Sequence, residues 1–153
     1  MADKVAVSRE IAAAPEALWD MVSDVTRMGE WSPETTKAEW QKGAVGPVVG
    51  AAFKGTNENG GKRWSTGATV TAAERGRRFA FSVAAGFVKV ADWSYDFEPT
   101  DTGCRVTETW TDRRNGLIKL IGKPISGVSD RAGHNRAGME QTLERLSAAA
   151  ESS

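Results

Sequence analysis

Glu108 and Tyr95 are the two side chains of this sequence best placed by type and spacing to handle a proton together. From Ala91 the chain reads A-D-W-S-Y-D-F-E-P-T-D-T-G-C-R-V-T-E-T-W. Ala91, Trp93, Tyr95 and Phe97 alternate with Asp92, Ser94, Asp96 and Glu98, the period-two pattern of a strand with one dry face and one wet face. Residues 99–103 supply a turn, after which Cys104, Val106, Glu108 and Trp110 share one face of a return strand. Glu108 is therefore a carboxylate on an otherwise apolar face, where its pKa rises unless it is paired. It could hydrogen-bond a ligand, or act as a general acid or base on a carbonyl substrate. Tyr95 could then donate to an enolate oxygen, and Arg136 or Asn135 could polarise a carbonyl. The structural alternative is a Glu108–Arg136 ion pair that only tethers a helix to the sheet, or a Glu108 near the sheet end in water.

Other chemistry is poorly supported. His134 is the only histidine and falls off the buried face of its helix, so it is expected in solvent. Without a second histidine or a cysteine cluster, a tetrahedral zinc site is not expected, and no other metal or cofactor is implied. Cys104 is the only cysteine, which excludes an intrachain disulfide and reads as a packed thiol. Gly60-Gly61-Lys62 lacks the spacing of a phosphate loop. Arg75, Arg77 and Arg78 form a basic hairpin tip, expected to be solvated. The 20 Lys and Arg balance the 20 Asp and Glu, so no net field points to nucleic acid or an anionic membrane. No apolar run has signal-peptide or membrane-spanning length, and a cytoplasmic location is expected.

These residues must be positioned by ordinary elements. With 153 residues the chain fits one domain, 1–153. Alternation predicts a first strand over 4–12. Pro15 suits the first turn of a helix whose face carries Leu18, Met21, Val22 and Val25. Asp24 can cap a second short helix holding Met28, which ends before Pro33. Strands follow over 36–41, 51–56, 62–73 and 78–83, ahead of the pair described above. The turn at 57–61 contains Asn59-Gly60, which accepts positive φ cheaply. Ser129 or Asp130 can cap a final helix to about residue 150, with Ala132, Asn135, Arg136, Met139, Leu143, Leu146 and Ala150 on one face.

The order is strand, two helices, six antiparallel strands and one long helix, an α+β arrangement. A sheet dry on one face needs a cover, and the last helix is the only long one, so the sheet should curl around it and leave space near one end. By strand parity that space is lined by Phe53, Trp64, Phe81, Trp93, Tyr95 and Trp110, with Glu108 among them. Trp31, Arg136 and Met139 are the candidates from the helices. Six tryptophans are many for this length, and they suit flat apolar ligands as well as they suit a core. The alternative is that the rings fill one another and leave no cavity. The segment 115–128 is rich in aliphatics. Leu117, Ile118 and Ile121 could form a lid, or a surface that meets a membrane or a second copy in a homodimer.

This order, with A-P-E-A-L-W at 14–19, Asp24, W-S-P at 31–33, G-A-A-F at 50–53, Trp64, W-S-Y-D-F-E-P from 93 and G-C-R-V-T-E-T-W to 110, resembles the polyketide cyclase/dehydrase and lipid-transport family. That family belongs to the START-like (SRPBCC, Bet v 1-like) helix-grip superfamily, and the resemblance spans about residues 4–150. It implies a helix-grip fold: a curved antiparallel sheet of about seven strands around the C-terminal helix, with two short helices after the first strand and a cavity between sheet and helix. It also implies binding, transport or sequestration of a small hydrophobic, lipid-like or aromatic molecule. Members differ in role, and no matched motif is a catalytic signature. Two alternatives stay open: a cyclase/dehydrase-type enzyme using Glu108, Tyr95 and Arg136, and a protein-interaction module with a vestigial pocket. An apolar ligand burying roughly 400 Å² would gain on the order of 10 kcal/mol, of which association takes back several.

Overall fold

The computed structural model describes residues 3–114 and 130–152. In β1 (Lys4–Ile11) the buried residues are Val5, Val7 and Ile11, so one face is dry and the other wet. Pro15 opens α1 (Pro15–Ser23), which buries Leu18, Trp19 and Val22. The indole N–H of Trp19 donates to the Arg78 carbonyl at 2.9 Å, and its ring meets Phe79 edge-on at 6.4 Å. Asp24 accepts from the Thr26 N–H at 3.2 Å and starts a 3-10 turn, Val25–Arg27, that runs into the single-turn α2 (Met28–Trp31).

Six strands follow: β2 (Thr35–Gln41), β3 (Ala52–Asn59), β4 (Lys62–Glu74), β5 (Arg78–Ala85), β6 (Val88–Thr100) and β7 (Gly103–Asp112). The long helix α3 (Arg131–Glu151) closes the fold, and Asp130 caps it by accepting from the Gly133 N–H at 3.1 Å. The strands form one seven-stranded sheet in the order β1-β7-β6-β5-β4-β3-β2, antiparallel throughout. This is the expected helix-grip architecture, and most strands run a residue or more past their expected ends.

The 57–61 turn is where expectation and structure differ most. β3 continues to Asn59, which pairs with Lys62, and the turn is Gly60-Gly61 alone, with φ of 53° and 82°. Two glycines supply both left-handed positions of a two-residue hairpin, so Asn57 and Glu58 are free to stay in the strand.

Register irregularities interrupt β2 between Thr35 and Lys37, β4 between Val70 and Ala72, and the β5–β6 pair between Val83 and Ala84. Extra residues of this kind bend a strand and raise its twist. The sheet therefore curls. α3 packs most closely on β1, with β7 and α2 beside it. α1 packs on β5 and β6 and closes one end, where Ile11, Leu18, Val25, Phe79, Val106 and Cys104 are buried. Toward the other end the sheet diverges from α3. The segment 115–128, with Leu117, Ile118 and Ile121, lies outside the described residues.

Candidate functional site

Where sheet and helix diverge there is a cavity of about 330 Å³. Register brings its aromatic wall together. Trp93 sits opposite Trp110 on β7 and Phe81 on β5. Phe53 lies across from Ala68, and Trp64 across from Asn57. Phe53 and Phe81 meet edge-on at 5.2 Å, whereas Trp64, Trp93 and Trp110 stack on no other ring among the described residues. Trp110 is 2 % exposed, while Trp64 and Trp93 are half-buried. The expected rings thus line space rather than fill it.

One polar pole lies in this wall. Tyr95 and Glu108 are register partners on β6 and β7, and the Tyr95 hydroxyl donates to Glu108 Oε2 at 2.9 Å. Glu108 is 3 % exposed, and its Oε1 has no hydrogen-bond partner among the described residues. A buried oxygen left in that state costs about 1–3 kcal/mol. Burial pushes the Glu108 carboxyl up to about 8, against a downward pull from the Tyr95 hydrogen bond. Burial, and then the neighbouring Glu108, push the Tyr95 phenol well above its usual value of 10. Near neutrality the pair is uncharged, a phenol bonded to a carboxylic acid.

A second, charged cluster joins α3 to the chain ahead of β2. Arg131 Nη1 donates to both oxygens of Glu34 at 2.9 Å, and His134 Nε2 lies 2.9 Å from Glu34 Oε2. Arg131 also reaches Asn135 Oδ1 at 3.3 Å. On the β7 side, Arg114 grips the buried Asp112 with two bonds of 3.0 Å. Across β2, β3 and β4, Thr35 donates to Asn57 at 2.8 Å and Asn57 to Thr66 at 3.3 Å. The cavity is thus apolar in its middle, with an acid–phenol pair in one part of the wall and ion pairs in another.

Of the expected site residues, Phe53, Trp64, Phe81, Trp93, Tyr95, Glu108, Trp110 and Met139 are in the cavity wall. Trp31 and Arg136 are not. Trp31 is core, with the Arg27 guanidinium 4.8 Å from its ring centroid, and one turn of helix carries Met28 to the wall instead. Arg136 is exposed, so the Glu108–Arg136 ion pair does not form. The helix explains why. At about 100° per residue, the wall-facing residues of α3 lie roughly 80° round from the centre of the expected face. Those residues include Arg131, His134, Gly138 and Thr142. His134 is accordingly a partly exposed wall residue paired with Glu34, where free solvation was expected. Asn57, Glu34 and Arg131 were missed altogether. Asn57 shares the parity of Phe53, a signal hidden by assigning it to the turn. The Glu34–Arg131 pair joins positions far apart in the chain and has no local signal.

An antiparallel sheet gripping one long helix, with a ring-lined cavity between them, defines an α+β helix-grip protein. The chain belongs to the family described as polyketide cyclase / dehydrase and lipid transport, which it matches over residues 2–151. Among solved structures, the Polyketide_cyc-like protein Cgl2372 from Corynebacterium glutamicum is 34% identical, with 96% of this chain and 90% of that one covered and a TM-score of 0.65. Protein CV1439 from Chromobacterium violaceum is 16% identical at a TM-score of 0.71, covering 97% and 98% of the two chains. The di-domain ARO/CYC StfQ from the steffimycin biosynthetic pathway is 14% identical at a TM-score of 0.75, with 99% of this chain but 51% of that one covered. The last two likenesses bear on the fold alone. Among curated proteins none matches the chain. No described helix is long and apolar enough to cross a membrane.

Proposed function

We propose that residues 1–153 act as one binding unit that takes a small, flat, hydrophobic molecule between sheet and α3. The observation that carries this reading is the cavity of about 330 Å³ walled by Trp64, Trp93 and Trp110. Its volume falls at the lower end of the usual range for small-molecule sites, and apolar walls with a few placed polar groups are their usual composition. Family membership supports the same reading. Binding of a two- or three-ring molecule would bury apolar surface on both partners and reach micromolar affinity after the costs of association.

The test uses N-phenyl-1-naphthylamine, a neutral fluorescent probe, with native mass spectrometry of freshly purified protein beside it. The probe should brighten, quench Trp emission saturably, and lose affinity in Trp93→Leu. A protein-interaction module with a vestigial pocket would show no saturable binding by either method, and that result ends the ligand reading.

A second reading is a cyclase/dehydrase-type enzyme. The uncharged Glu108 beside Tyr95 supports it, because an acid with its pKa near the working pH is suited to proton transfer. So does membership of a family whose description includes cyclases and dehydrases. Arg136 has no part in such a mechanism, since it is exposed outside the wall. An enzyme would lose turnover but keep binding in Glu108→Gln, whereas a carrier has no turnover to lose.

A further inference from the structure

We infer that the bound molecule presents a neutral carbonyl-type oxygen to Glu108 Oε1, so that the cavity selects oxygenated ring systems over hydrocarbons of the same shape. This inference rests on the ligand-binding reading above and narrows it to a ligand class.

The argument begins with what Glu108 lacks. Its Oε2 is engaged by the Tyr95 hydroxyl, and its Oε1 is buried without a partner among the described residues. Buried polar oxygens are almost always satisfied, so an exception in a cavity wall calls for an explanation. Among the described residues none supplies that partner: Ala91 and Met139 in the wall are apolar, Asn135 Oδ1 accepts from Arg131, and the Thr142 hydroxyl donates to the Gly138 carbonyl, so a molecule in the cavity is the candidate.

The sign of the missing partner follows from protonation. The elements around Glu108 bring no charge to it among the described residues. β6 contributes Tyr95, β1 contributes Val7 opposite, and the wall-facing residues of α3 nearest the core are Asn135, Met139 and Thr142. The charged wall residues are engaged elsewhere: Arg114 with Asp112, and Arg131 and His134 with Glu34. Nothing therefore holds Glu108 ionised, and burial favours the neutral acid. With Tyr95 donating to Oε2, the acid proton belongs on Oε1, which becomes a donor facing an apolar space. A ketone, quinone or ester carbonyl satisfies a donor. An alkyl group does not, and leaves the acid unsatisfied in the complex.

The experiment compares 2-acetylnaphthalene with 2-isopropenylnaphthalene, which differ by C=O against C=CH₂. Affinities are read by displacement of the neutral probe. At about pH 6.5 the wild type should prefer the ketone by about tenfold or more, the worth of one good hydrogen bond in a dry site. The ratio should fall to within about twofold in Glu108→Leu. At about pH 9.5 the wild type should lose its preference, because a carboxylate cannot donate. Glu108→Gln keeps the shape and a donor N–H, so it should prefer the ketone at both pH values. It also covers the case in which the Leu variant does not fold.

A wild-type ratio near one, or a Gln variant whose preference still disappears at high pH, overturns the inference and leaves hydrophobic binding standing. Failure of both naphthalenes to bind at all overturns the binding reading, and this inference with it.

Discussion

Glu108 couples the stability of the fold to pH in a direction opposite to most carboxylates. Its folded value of about 8 lies above the ordinary 4.5. Below pH 4.5 both folded and unfolded chains hold the proton, and there is no penalty. Between 4.5 and 8 the unfolded chain releases it while the folded chain keeps it, so the folded state binds more protons and stability falls as pH rises. Above 8 the slope vanishes and the loss is complete. Glu108→Gln removes this dependence while keeping an acceptor for the Tyr95 hydroxyl. The variant should therefore match the wild type near pH 4 and exceed it by roughly 3 kcal/mol at pH 7. Urea titrations at the two pH values measure this. A variant less stable than the wild type at pH 7 would mean that Glu108 is ionised in the fold and held by a compensating group.

Among the elements, the single turn α2 brings Met28 to the cavity wall, and residues 32–35 after it line the same space. It lies so close to β2 that a Cβ on Gly29 would stand 2.5 Å from the Thr36 carbonyl oxygen. Backbone cannot yield there as a flexible side chain would. Gly29→Ala should lower stability by about 1–3 kcal/mol. Gly67→Ala in β4, whose added Cβ would meet nothing nearer than 3.9 Å, should be neutral or gain up to about 1 kcal/mol. Equal effects of the two in thermal denaturation would show that α2 is not held against β2 as described. This close contact also shows what was legible in the sequence. Strands and the long helix were, because alternation and helical periodicity are local and continuous over many residues. Aromatic positions in the wall followed directly from strand parity, so Trp64, Trp93 and Trp110 were placed without any long-range information. The rotation of α3 was not legible. Its face is uniformly apolar only in its last turns, and in the first turns polar residues flank the stripe on both sides. Which flank meets the cavity depends on how far the sheet opens, and that depends on irregularities in β2, β4 and the β5–β6 pair that have no clear pattern in the chain. Arg136 and His134 exchanged their expected roles for that reason.

At the scale of the whole molecule, the question is why empty volume survives between the sheet and α3. Protein interiors normally pack to crystal density, and each unfilled space gives up contacts. Here α3 approaches the sheet at β1 and β7, so its distance from β3 to β5 is set by curvature and not by side-chain size. Larger residues at the wall could have filled the gap, yet Gly55, Ala68, Ala85 and Ala91 stand there. Small residues beside bare tryptophan faces leave a slot suited to a flat guest. Ala68→Phe tests this directly. Ala68 is 8 % exposed and sits between Phe53 and Val83 in register, so the new ring must enter the cavity. If the space is a cavity kept open for a ligand, the ring should fit without unfolding the protein, and the melting temperature should hold or rise. Saturating naphthalene ligand at about 100 times its Kd should stabilise the wild type by about 2.7 kcal/mol, or about 5–10 °C for a chain of this size. The Ala68→Phe variant should show less than about a quarter of that shift. A variant that melts well below the wild type without ligand would mean that the wall has no room. A variant that keeps the full shift would mean that the ligand sits elsewhere on the molecule.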